Sequence, residues 1–177
     1  MNLLAKRIDS AGPPRRQSRR VKGLKWAELR PQGPFPGKRN SSARACVKRG
    51  NAYETKVGRF LKRQLAEGTL EGELTLKQWI LFTDENGVGW AQPDAYIITE
   101  QRILLIEAKL TQTDSATPQL LALYLPLLRH IFVDVPIVCL QVCQNLRYVP
   151  KKFVESPQEL LANPGPGVYT WHFRGDG

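Results

Sequence analysis

A chain of 177 residues, 42% hydrophobic and 24% charged, has the composition of a globular protein and the length to bury one sizeable core. It contains no apolar run of the roughly 18 residues that a membrane span needs, so a transmembrane protein is not expected. The net charge of +10 is unevenly placed: residues 1–49 hold 14 Lys and Arg against Asp9 and Glu28, whereas the other 128 hold 12 against 14 acids.

That asymmetry reads as a basic arm for nucleic acid or another anionic surface, because neutralising phosphates releases counterions, or as a solvated tail that aids solubility. Residues 11–40 are rich in Pro, Gly and Arg and lack sustained periodicity, so residues 1–45 are read as a disordered or loosely attached arm before a domain at 46–177. Arg15, Arg16, Arg19 and Arg20 are its candidate phosphate contacts. Trp26, Leu29 and Phe35 would dock the arm locally or stack on bases. The N-terminus lacks the apolar core of a secretory signal, so a cytoplasmic or nucleoid-associated protein is expected, although the Arg-rich, acid-poor start also suits an organellar transit segment. Three cysteines, Cys46, Cys139 and Cys143, fit reduced thiols.

Asn51 can cap a helix in which Tyr53, Val57, Phe60, Leu61 and Leu65 recur at helical spacing up to Gly68. Lys56, Arg59, Lys62 and Arg63 lie on the opposite face, with Lys48 and Arg49 just upstream, as a solvated face or a phosphate track. A strand is expected over 74–82, followed by the turn Asp84-Glu85-Asn86-Gly87. Strands at 94–99 and 103–108 form a hairpin about Glu100-Gln101. Pro118 suits the first turn of a helix reaching about residue 132, which Pro126 would kink or end. Residues 135–142 and 168–173 read as buried strands. The order is helix, three strands, helix, strand.

A turn centred on Glu100-Gln101 places Ile97 opposite Leu104, Ala95 opposite Ile106, and Asp94 opposite Glu107. The two acids would then stand with Cβ atoms about 4.5–5.5 Å apart, an arrangement that calls for a cation or a proton between them. Alternation puts Lys109 on the same face as Glu107, while a slip of one residue would turn one acid away. Such a constellation suits phosphodiester hydrolysis, with Mg²⁺ or Mn²⁺ held by Asp94 and Glu107 and with Lys109 orienting the attacking water or stabilising developing charge. His130 and His172 have no partners spaced like a zinc site, and there is no Gly-rich phosphate loop, Ser/His/Asp set or dinucleotide fingerprint.

Gln92-Pro93-Asp94, twelve residues between Asp94 and Glu107, and Ile106-Glu107-Ala108-Lys109 resemble the motif of the PD-(D/E)XK nuclease superfamily, over roughly residues 50–145. The resemblance implies a restriction-endonuclease-like αβββαβ fold, an α/β core with a mixed central sheet flanked by helices. It implies metal binding by Asp94, Glu107 and the Ala108 carbonyl, a water-assisting Lys109, and a further acid, Glu54, on the first helix. Glu54 also reads as a solvated residue facing Gly58 and Lys62. Gln119 and Tyr124 resemble the glutamine and tyrosine of RecB-like members, but residues five apart on an α-helix lie about 140° apart and would not face together. Some relatives hold an iron–sulfur cluster through four cysteines; with three, no cluster is expected here. The implied partner is DNA, with RNA as an alternative, acted on by a homodimer or within a larger replication, repair or packaging assembly. The rival reading is a non-catalytic nucleic-acid-binding or structural protein on the same fold.

Overall fold

The computed structural model describes residues 20–34, 45–162 and 164–175, so Arg15, Arg16, Arg19 and Phe35 lie outside the described residues. It is a mixed α/β structure with one six-stranded and one three-stranded sheet. The elements in chain order are β1 (Trp26–Arg30), α1 (Ala45–Ala66), β2 (Glu73–Leu76), β3 (Trp79–Asp84), β4 (Gly87–Ala91), β5 (Ala95–Ile98) and β6 (Ile103–Thr111). Next, α2 (Ala116–Gln119) runs through a π-helical turn (Leu120–Tyr124) into α3 (Leu125–Ile131), followed by β7 (Ile137–Asn145), β8 (Phe153–Val154), α4 (Glu159–Ala162) and β9 (Val168–His172).

The large sheet has the order β2-β5-β6-β7-β9-β8, antiparallel from β2 to β6 and parallel from β6 onward. Strand β6 is central and buried on both faces, which explains its unbroken apolar run Ile103-Leu104-Leu105-Ile106. Even-numbered Leu104, Ile106 and Ala108 pack with Tyr53, Val57 and Leu61 of α1. Odd-numbered Ile103 and Leu105 pack with Leu120, Leu123, Tyr124 and Leu127 of the helices on the other side. The apolar stripe of α1 is the one its spacing predicts, but the helix starts at Ala45, ahead of Asn51, and takes Gly50 into its interior. A Gly inside a helix costs about 1 kcal/mol, which the downstream packing offsets. Cys139 and Cys143 are free and buried on β7.

The expected single strand at 74–82 is two strands in different sheets. Lys77, with φ 50°, turns the chain so that Leu74 and Leu76 serve the large sheet while Ile80 and Phe82 enter the small one. The small sheet, ordered β1-β3-β4, is antiparallel throughout. Strand β1 falls within the segment read as a loosely attached arm. Its backbone pairs with the edge of β3, Ala27 is buried, and the Val21 N–H donates to the Ala122 carbonyl at 2.7 Å. The local docking of Trp26 and Leu29 is thus by strand addition rather than by side chains alone.

On β4, Gly89 pairs with Phe82, whose ring occupies the place where a Cβ on Gly89 would stand. Gly89→Val is therefore expected to push the buried ring aside and cost about 1–3 kcal/mol, read as a lower denaturant midpoint at unchanged slope. An unchanged midpoint would show that the ring is not held there.

Candidate active site

The hairpin register decides which side chains meet. Ala95 pairs with Ile106, Tyr96 with Leu105, Ile97 with Leu104 and Ile98 with Ile103, so the strands are not slipped. Asp94 stands just before β5, and its Oδ2 accepts the Ala108 N–H at 2.8 Å. That bond ties the acid to the far strand and turns it toward Glu107. Glu107 is 1% exposed. Its Oε1 accepts a hydrogen bond from Lys109 Nζ, two residues along on the same face of β6. Its Oε2 is buried with no partner among the described residues. Ala108 enters the site through its amide, and the role implied for its carbonyl stays with the resemblance.

Burial and mutual repulsion dominate the electrostatics. Desolvation, then the nearby charge of Glu54, raise the Asp94 pKa from 3.8 to about 6, against the opposing Ala108 hydrogen bond. Desolvation, then Asp94, raise that of Glu107 from 4.5 to about 8 despite Lys109. Burial alone would lower the Lys109 pKa, but the charge and hydrogen bond of Glu107 outweigh it, and the net direction is up. Two carboxylates that resist ionisation together, one with an unmet oxygen, form a donor set suited to a hard divalent cation.

Glu54 projects toward this pair from α1, but its direct partner is Lys77, whose Nζ lies 2.8 Å from Glu54 Oε2. Lys77 is the site residue that the sequence reading missed. Its N–H donates to the Asp94 carbonyl at 3.0 Å, and its own carbonyl accepts Gln92 Nε2 at 2.7 Å. The available signal was the change from alternating Leu74 and Leu76 to the continuous run Trp79-Ile80-Leu81-Phe82, which marks two burial regimes and therefore a break between them.

Gln119 and Tyr124 do meet. The π-helical turn between them carries one extra residue, so positions five apart share a face, and Gln119 Nε2 donates to the Tyr124 hydroxyl at 2.6 Å. That hydroxyl donates to the Gln92 carbonyl at 3.0 Å, two residues before Asp94. Burial, reinforced by the charge of Glu107, holds the phenol pKa well above its usual value, so it acts as a neutral donor. The expected 140° separation fails because it assumes an unbroken α-helix.

Lys48, Arg49, Lys56 and Arg59 are all exposed on α1, and Lys56 Nζ donates to the Arg174 carbonyl at 3.3 Å. Arg20 is exposed at the start of the segment that leads into β1. Among the described residues no three His, Cys, Asp or Glu side chains gather as a metal-holding group, and no helix is long and apolar enough to cross a membrane. Asp94 and Glu107 are thus a pair rather than a triad, with Glu54 turned to Lys77. Comparison with family models, with curated proteins and with solved structures finds no match to this chain.

Proposed function

We propose that this protein is a nuclease that hydrolyses DNA phosphodiester bonds with Mg²⁺ or Mn²⁺ at the Asp94–Glu107 pair. The observation that carries the reading is the buried, unpartnered Glu107 Oε2 beside Asp94 and Lys109. An apolar core has no use for that arrangement, whereas a cation between the acids relieves both the repulsion and the unmet oxygen. A restriction-endonuclease-like core is supported by element order. With the small sheet set aside, the chain runs α1, β2, β5, β6, α2/α3, β7, a helix, three strands, a helix and a strand.

Asp94 and Glu107 would hold the cation, which when bound supplies a Lewis acid for the phosphoryl oxygens and favours deprotonation of the attacking water. The Ala108 N–H fixes the Asp94 carboxylate in place. Lys109, only partly exposed, keeps its proton and faces the position where charge builds on the phosphate. Tyr124, braced by Gln119, anchors the Gln92 carbonyl and so the approach to Asp94. Exposed Lys48, Arg49 and Arg59 on α1 supply sequence-independent attraction for the backbone.

The test is conversion of supercoiled plasmid to nicked or linear forms in Mg²⁺ or Mn²⁺, comparing the parent with an Asp94→Ala/Glu107→Ala double variant. The parent is expected to cut and the variant to bind without cutting. Equal cutting by both would remove these acids from the chemistry.

A further inference from the structure

Beside the acid pair, the same sheet face carries a second polar row. Glu107 on β6, Gln141 on β7 and Thr170 on β9 are register neighbours, and Gln141 is only 3% exposed. Among the described residues the Gln141 Nε2 has no hydrogen-bond partner, which is unusual for a buried amide. Gln141, one strand spacing of about 4.8 Å from Glu107, forms with Thr170 one wall of a cavity of about 380 Å³. Thr117 and Leu121 border it from the helix side, and Tyr148 and Lys151 from the segment after β7.

That segment is built as a fixed platform. It reads Arg147-Tyr148-Val149-Pro150-Lys151-Lys152, with three bases and no acid. Buried Gln112 accepts the backbone N–H groups of Arg147 and Tyr148 on its Oε1, at 3.0 and 3.2 Å, and the Tyr148 hydroxyl donates to Asp114 at 2.9 Å. The backbone and the hydroxyl of Tyr148 are thus both tethered, although the residue is 48% exposed. Arg147 and Lys151 are exposed on either side of it, while Lys152 is engaged with the Pro166 carbonyl.

We infer that this cavity is a subsite for one unpaired base of single-stranded DNA. Tyr148 stacks on the base, the Gln141 amide bonds its edge, and Arg147 and Lys151 draw in the flanking phosphates. An aromatic face within a basic segment serves any base, and the unmet amide adds a hydrogen bond that only an unstacked base can accept. A base that is paired and stacked in a duplex cannot enter a side cavity, so the subsite selects single strands or frayed ends. The inference rests on the nuclease reading for its choice of DNA, but its test requires no cleavage.

The full chain is titrated, in EDTA, against a fluorescent oligothymidylate, an abasic deoxyribose-phosphate oligomer of equal length and a blunt duplex. The oligothymidylate is expected to bind about tenfold or more tightly than either competitor. Tyr148→Ala and Gln141→Leu are each expected to lose about tenfold on the oligothymidylate and to change abasic binding little. Leucine fills a similar volume and removes the unmet amide. Should that variant nevertheless fail to fold, Tyr148→Ala removes only an exposed side chain and its surface hydrogen bond to Asp114, and decides the matter alone. Equal binding of thymidylate and abasic oligomers, or a Tyr148→Ala protein that binds thymidylate like the parent, overturns the subsite. A parent that shows the predicted binding pattern but cuts no DNA in Mg²⁺ supports the subsite and overturns the nuclease reading alone.

Discussion

A Glu107→Gln protein is expected to lose Mg²⁺-dependent cleavage by about two to three orders of magnitude and yet, without metal at pH 8, to melt higher than the parent. The two effects have one cause. Burial and the Asp94 charge raise the Glu107 pKa from 4.5 to about 8, so between those values the folded protein keeps a proton that the unfolded chain has released. The unfolded state then binds fewer protons, and stability falls as pH rises through this window, having been fully present below about pH 4.5. Asp94, raised from 3.8 to about 6, adds to the loss over the lower part of the range. The combined cost by pH 8 is on the order of several kcal/mol, a shift of about 10 °C or more for a chain of this size. Glutamine keeps the shape of the side chain and has no proton to lose, so the variant's melting profile should be flatter. Mn²⁺ should raise the parent's melting temperature at pH 8 and leave the variant's unchanged. Melting curves from pH 5 to 8.5, with and without Mn²⁺, separate these cases. A metal-free parent that grows more stable from pH 5 to pH 8 would contradict the burial argument.

The parts of this site that were legible in the sequence are those set by strand parity and a short turn. Pairing Asp94 with Glu107 required only the position of Glu100-Gln101 and the period of two, and the observed register Ala95↔Ile106 agrees. The inward stripe of α1 was legible for the same reason, since Tyr53, Val57 and Leu61 lie on one helical face. Contacts between segments distant in the chain were not. Nothing near Trp26 signals that its strand completes a sheet with Trp79–Asp84, and in the β4 segment Gly87–Ala91 two glycines interrupt the strand signal of Val88 and Trp90. Lys77 escaped notice because its importance comes from a backbone turn, which swings its amine toward Glu54 and its N–H to the Asp94 carbonyl. The Tyr148 platform depends on buried Gln112, whose side chain reaches 35 residues along the chain. Local pattern is blind to a bond of that length.

Deleting Leu121 is expected to leave the fold and the Gln119–Tyr124 hydrogen bond intact, whereas deleting Arg59 is expected to destroy the packing of α1. Each removes one residue from a helix, and both residues are exposed. A π-helical turn is an α-helix with one residue inserted, so removing Leu121 restores a regular helix while the flanking faces, with buried Ala116 and Leu120 before and Leu123 and Leu127 after, still meet the sheet. Gln119 and the tyrosine then lie four apart, about 40° in azimuth, still close enough to bond. The cost should be within about 1 kcal/mol. Helix α1 has no spare residue. Loss of Arg59 rotates Tyr53 and Val57 by about 100° from Leu61, draws both from the core and carries Glu54 away from Lys77, at a cost of about 4 kcal/mol or more. Denaturant midpoints of the two deletions give the comparison, and equal damage would show that the π-helical turn is not a tolerated insertion. The Tyr124 hydroxyl holds the Gln92 carbonyl. The shortened helix keeps the tyrosine on the face it shares with Gln119 and should keep cleavage, whereas Tyr124→Phe, which cannot donate that bond, loosens the segment leading to Asp94.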